Sequence, residues 1–275
     1  MKLLKISAGA CLLYIVCILL IALVQDRLLF PRWAMGGQTV ALPATAERLS
    51  IEIEGVGPLA GAFLPADRTP PPGAALVLGF GVNAWDADHL AVFLSSVFPA
   101  RNVVVFHYRG YGPSAGHPSA DALLEDAVRI HDEVIAVYDP DHIVAIGLSV
   151  GAGPAAHLAS QRALAGVVLV TPFDSLEALA ADLYPWLPVR LLLRHRMDVA
   201  GALSRSSAKV AIIAAAHDEI VPSRRTEALR QSAENVVSDR VIEGAGHNDI
   251  YNKDEFVAAM GTGLNLIEDL IKSHE

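Results

Sequence analysis

Cysteine is nearly absent. The 275-residue chain has two, Cys11 and Cys17, and both lie in its first apolar stretch. The rest of the chain therefore carries no disulfide framework, no cysteine pair spaced to hold a metal and no thiol nucleophile. That scarcity fits a reducing or an oxidising compartment equally. Positive charge is also short: 21 Lys and Arg stand against 30 Asp and Glu, a net charge of −9. Nucleic acid rewards clustered Lys and Arg, so a nucleic-acid partner is not expected. The same balance gives no long-range attraction to anionic lipid. Internal repeats of 20–50 residues and low-complexity tracts are missing too, which leaves out solenoids, arrays and disordered tails.

What is present begins with a long hydrophobic run. Residues 6–24, "ISAGACLLYIVCILLIALV", are uncharged and follow Lys2 and Lys5. About 20 apolar residues at ~1.5 Å each cover a hydrocarbon core of roughly 30 Å. A cleaved signal peptide is the rival reading, but no small-x-small cleavage site follows the run closely; Ala44-Thr45-Ala46 lies too far along. The expectation is a transmembrane anchor over residues 1–25, then a membrane-proximal linker over 26–48 that mixes Pro, Gly and aromatics. The two lysines favour a cytoplasmic N-terminus, diluted by Arg27 and Arg32 beyond the run, which puts the bulk of the chain outside the cytoplasm.

From residue 49 onward strands and helices alternate. Ser50–Glu54 and Ala60–Leu64 read as a first pair of strands around a turn at Gly55 to Pro58. Further β-rich runs follow at 74–79, 102–106, 142–147, 166–170, 209–216 and 236–243, most of them continuously apolar, as strands buried on both faces should be. Residues 120–138 place Leu124, Ala127, Val128, His131, Val134, Ile135 and Tyr138 on one helical stripe, with Ser119 as N-cap. Phe256, Met260, Leu264, Ile267 and Ile271 repeat that spacing at the C-terminus, where Gly261 and Gly263 weaken the helix by ~1 kcal/mol each. The alternation predicts an α/β domain over 49–275, a mostly parallel sheet with helices on both faces. An insertion over about 174–208, rich in Leu, Pro and Arg, reads as a small cap.

One motif carries chemistry. The strand at 142–147 runs into Gly147-Leu148-Ser149-Val150-Gly151 and then a helix-compatible stretch. A serine on a sharp strand-to-helix turn stands clear of the sheet, and the turn leaves the amide of Val150 at a helix N-terminus, where an oxyanion is held. Serine needs a base, usually a histidine oriented by a carboxylate, and in this architecture the order is Ser, acid, His, each on a loop after a strand. "HDEIVP" (217–222) offers Asp218, and the Gly-rich "GAGHND" (244–249) offers His247. His131 and His157 sit in helical stretches and His217 would point away from the site. Glu219 is adjacent to the favoured acid, and Asp174, in "TPFDSL", is its rival. The second oxyanion donor is expected from the loop after the 74–79 strand, at the amide of Val82 or of Asn83.

These stretches, with "YRGYGPSAGHP" (108–118) and "LVTPFDSL" (169–176), resemble the α/β-hydrolase superfamily in family order over residues 49–275. The likeness is to its single-anchor branch, which includes serine-aminopeptidase-like hydrolases and protein depalmitoylases. It departs at the oxyanion loop, where Phe80-Gly81-Val82-Asn83-Ala84 replaces the usual His-Gly-Asn-Ala, and at His107, often Asp in the family. Arg109 reads as a structural tie between loops. The resemblance implies a serine hydrolase without cofactor or metal that cleaves an acyl ester, thioester or amide through Ser149, His247 and Asp218, with Val150 and Val82 as oxyanion donors. Its substrate would be a small or lipid-like acyl compound. Dehalogenases of this fold need Asp where Ser149 stands. A non-catalytic membrane-bound scaffold is the alternative.

Overall fold

Val- and Ile-rich runs such as Val103–Phe106 and Ile143–Leu148 have no polar face to offer water, so they form strands only where helices cover both sides. In the computed structural model, which describes residues 2–32, 40–83 and 85–273, they build one eight-stranded sheet. Its strands are β1 (Glu47–Ile53), β2 (Gly57–Leu64), β3 (Leu76–Phe80), β4 (Val103–Phe106), β5 (Ile143–Leu148), β6 (Gly166–Val170), β7 (Lys209–Ala215) and β8 (Val236–Ile242). The order is β1-β2-β4-β3-β5-β6-β7-β8. β1 and β2 pair antiparallel, β2 runs antiparallel to β4, and every pairing from β4 to β8 is parallel.

Helices α3 (Ala120–Tyr138) and α4 (Ala152–Gln161) cover one face, and α2 (Ala87–Val97) and α9 (Asp254–Lys272) the other. Ser119 caps α3 as expected, its hydroxyl accepting from the Ala122 amide at 3.0 Å. The buried stripe of α3 is rotated by about one residue from the anticipated one. Leu123, Ala127, Ile130 and Val134 face the sheet, while Ile135 is exposed. The reason is Asp126, a buried charge that the apolar pattern could not anticipate. Phe256, Met260, Leu264 and Ile267 of α9 are buried as read. The 174–208 insertion folds into three short helices, α5 (Leu176–Leu183), α6 (Val189–Leu192) and α7 (Val199–Leu203), with α8 (Ser223–Ser232) after β7.

Helix α1 runs from Lys2 to Leu29, past the expected end of the anchor, so the first residues of the anticipated linker complete its last turn. Residues 33–39 of that linker lie outside the described residues, and its last two form the start of β1. Within α1, Gly9–Leu29 is long and apolar enough to cross a membrane, with mean hydropathy 2.3. The end of α1 docks on the 174–208 segment through polar bonds. The buried Gln25 donates to the Leu192 carbonyl at 3.2 Å and accepts from the Arg194 amide at 2.9 Å. Asp26 Oδ1 meets Arg194 Nη2 at 2.9 Å and His195 Nε2 at 2.7 Å. His195 Nδ1 accepts the Ala120 amide at 3.3 Å, so the imidazole proton sits on Nε2 and is donated to Asp26. Phe30 packs edge-on to the His195 ring at 5.1 Å.

Candidate active site

β5 ends in a bend that few residues tolerate. Ser149 has φ 51°, in the left-handed region that costs a non-glycine residue roughly 1 kcal/mol or more. It opens a single 3-10 turn, Ser149–Gly151, that leads directly into α4. The flanking glycines answer a steric demand. A Cβ on Gly147 would lie 2.5 Å from the Gly151 carbonyl oxygen, and one on Gly151 would run into the Phe80 carbonyl at the end of β3. The turn therefore closes only with hydrogen at both positions.

The loops after β7 and β8 bring two more groups to Ser149. His247 Nε2 lies 2.9 Å from Ser149 Oγ, and His247 Nδ1 lies 2.8 and 2.9 Å from the two oxygens of Asp218. An ionised carboxylate only accepts, so Nδ1 carries the proton and Nε2 is left to accept from the serine hydroxyl. His247 and Asp218 are both nearly closed to solvent. Asp218 is itself fixed by backbone amides, its Oδ1 accepting from Ile220 at 2.9 Å and Val221 at 2.6 Å. Asp174, the rival acid, is turned elsewhere and pairs with Arg225 at 3.1 Å. Glu219 has a part that sequence reasoning missed: its Oε2 accepts the His247 amide at 2.9 Å, holding the backbone of the imidazole-bearing loop.

Val150 follows the serine inside the 3-10 turn and is buried. Val82 lies half-buried in the loop after β3 and packs against the core cluster on the α2–α9 face. Ala84 of that loop lies outside the described residues. The loop is pinned from two sides by the 108–111 stretch. Tyr108 Oη donates to the Gly81 carbonyl at 2.8 Å, and Tyr111 Oη donates to Asn83 Oδ1 at 2.9 Å. Burial pushes both phenols above their ordinary range, so they remain donors. The Asn83 amide nitrogen in turn donates to the Leu29 carbonyl at the end of α1. Arg109, read as a tie between loops, forms an ion pair with the buried Asp126 of α3.

Among the described residues, one side-chain cluster has the donors of a metal site: Asp86, Asp88 and His107, with ligand atoms within 4.8 Å of one another. Its fit to a cation is poor. Arg48 places Nη1 at 2.7 and 2.8 Å from the two oxygens of Asp88, and Asp86 caps α2 by accepting the Asp88 amide at 2.8 Å. Both carboxylates are already engaged. Burial lowers the pKa of His107 against the opposing pull of those two carboxylates.

A parallel sheet with antiparallel leading strands, covered on both faces and carrying a serine on the turn after β5, is the α/β-hydrolase fold. No protein-family model matches the chain. An uncharacterized protein of Mycobacterium tuberculosis is 39% identical over 173 residues, 61% of this chain and 60% of its own length. Alpha/beta hydrolase domain-containing protein 17B of Xenopus laevis is 27% identical over 181 residues, 61% of this chain and 58% of its own. The chain thus spans 60% or less of the length of these relatives. Among solved structures, an α/β hydrolase of Vibrio vulnificus superposes with a TM-score of 0.68 at 17% identity, covering 87% of this chain and 92% of that one. A membrane phospholipase A superposes with a TM-score of 0.61 at 16% identity, covering 97% of each chain. The resemblance to the α/β-hydrolase superfamily is borne out by the fold and by the likeness to these relatives.

Proposed function

We propose that the chain is a membrane-anchored serine hydrolase that cleaves an acyl ester, thioester or amide through an acyl-enzyme. The observation that carries the reading is the hydrogen-bonded line from Ser149 Oγ through His247 to Asp218. As Ser149 Oγ attacks the substrate carbonyl, His247 Nε2 takes its proton, and Asp218 holds the imidazole tautomer and stabilises the imidazolium. The tetrahedral oxyanion is received by the amides of Val150 and Val82. His247 then returns the proton to the departing alkoxide, thiolate or amine as the acyl–heteroatom bond breaks. Water, deprotonated by the same imidazole, attacks the acyl-serine and releases the acid and Ser149.

Helix α1 serves as the anchor in this reading and residues 49–275 as the catalytic domain, lying outside the cytoplasm, with 174–208 as its cap. A lipid-derived acyl group is the preferred substrate. It is supported by the apolar exposure of Tyr184, Trp186 and Leu191 on that cap and by the superposition on a membrane phospholipase A. Labelling by a fluorophosphonate of the protein in membranes tests the chemistry. Wild type is expected to label, and Ser149→Ala and His247→Ala are not. A folded wild type that fails to label would place the chain with non-catalytic scaffolds of the same fold.

A further inference from the structure

Between α1 and the cap lies a cavity of about 310 Å³. Its walls come from two sources far apart in sequence. Ile21, Ala22 and Leu29 of the membrane-spanning helix face Tyr184, Leu187 and Leu192 of the cap. The lining is almost wholly apolar; its buried polar side chain, Gln25, is already satisfied by Leu192 and Arg194.

Three observations say what such a space would hold. Its helical wall is the C-terminal part of Gly9–Leu29, so in a bilayer the cavity opens beside acyl chains rather than in bulk water. Two of the lining side chains, Leu28 on α1 and Trp186 on the cap, are apolar and largely exposed. The cavity's inner end is tied to the loop after β3, because Leu29 lines the cavity while its carbonyl accepts from the Asn83 side chain. The volume is also apt. At about 310 Å³ it has room for a run of several methylenes.

We propose that this cavity is an acyl-chain subsite for which α1 itself supplies one wall, so that the helix selects the substrate as well as anchoring the domain. The proposal deepens the hydrolase reading above and rests on it for the fate of the bound chain. Occupancy of the cavity requires no chemistry.

The test therefore uses full-length Ser149→Ala protein in nanodiscs of phosphatidylcholine. It has two arms, a phosphatidylcholine with a diazirine near the end of one acyl chain and an S-acylated peptide with the same labelled chain. Crosslinks are mapped by mass spectrometry. Labelling of the outward face of α1, at Leu12, Leu13 or Leu20, reports surrounding lipid and is not counted. Labelling of residues 184–193 is expected, and the arm that produces it identifies the source of the chain. It should fall by roughly tenfold in Ala22→Trp, since displacing two methylenes at ~0.8 kcal/mol each is worth about that much. Ile21→Trp provides a second filling variant if Ala22→Trp does not fold. Absence of 184–193 labelling in both arms, or labelling that neither filling variant lowers, overturns the subsite. Loss of fluorophosphonate reactivity in wild type would sink the hydrolase reading while leaving this result interpretable.

Discussion

Apart from His131 and Asp132, neighbours within α3, two histidine–carboxylate pairs of nearly equal length sit in contrasting regions. His247 and Asp218 meet at 2.8 Å where the loops after β7 and β8 converge; His195 and Asp26 meet at 2.7 Å where α1 docks on the cap. The difference lies in what the other ring nitrogen faces. His247 Nε2 faces the Ser149 hydroxyl, whose proton can move. His195 Nδ1 faces the Ala120 amide, which cannot give up its hydrogen, so that ring is locked as a donor to Asp26. Solvent access differs as well: the Asp218 side chain is 6% exposed and that of Asp26 56%. Nearly the same contact therefore suits the proposed proton relay in one region and makes a mechanical clasp in the other.

That contrast can be broken most directly at the relay. Ser149→Ala should remove turnover to background, and Asp218→Asn should lower kcat by about 10⁴-fold through the wrong imidazole tautomer, read as steady-state hydrolysis of an activated acyl ester. Next comes the joint between the regions. Asn83→Ala frees the oxyanion loop from both Tyr111 and Leu29 and should lower kcat by roughly 10- to 100-fold with little change in KM, the split expected when a positioning group is lost. The matched change in the clasp, Asp26→Asn, should cost under about tenfold in kcat and ~1 kcal/mol in stability, measured by denaturation in detergent. If Asp26→Asn proves as damaging to kcat as Asp218→Asn, the distinction fails.

The smallest effect belongs to a pair in neither region. Arg162, through paired hydrogen bonds, holds the Asp132 carboxyl at a pKa of about 2, below its ordinary 3.8. A carboxyl depressed by folding stabilises the native state above its unfolded pKa and loses that contribution as pH falls through about 2. Asp132→Asn should accordingly lower Tm by about 1 °C at pH 7 and by nothing measurable below pH 2, since a half-exposed pair is screened by solvent.

How much of this was legible in the chain follows from how far each signal reaches. Strands β3 to β7 declared themselves because burial on both faces leaves uninterrupted apolar runs. Ser149 and Asp218 could be named because each follows such a run within three residues, and His247 because it stands in the Gly-rich loop after β8. Helix α8 escaped notice: "SRRTEALRQS" buries only Thr226 and Leu229, too few for a stripe. The register of α3 slipped because Asp126, a charge, occupies a buried position that Arg109 makes tolerable. The clasp left no trace at all, since Asp26 and His195 are 169 positions apart and each looks like an ordinary polar residue in its own neighbourhood. Glu219 was hidden for a different reason: it acts on the backbone of His247, and a backbone amide has no sequence identity.

The docking of α1 has a kinetic corollary. On the hydrolase reading proposed above, a catalytic domain bonded to the last turn of its own helix by Gln25 and Asp26 would not sweep a hemisphere on a loose leash. In a bilayer it would translate with the helix and meet its substrates by lateral diffusion, at a fixed height and tilt. Its rate would then follow the mole fraction of substrate in the membrane rather than the molarity in the surrounding buffer, and inert lipid would slow it simply by spreading the substrate over more area.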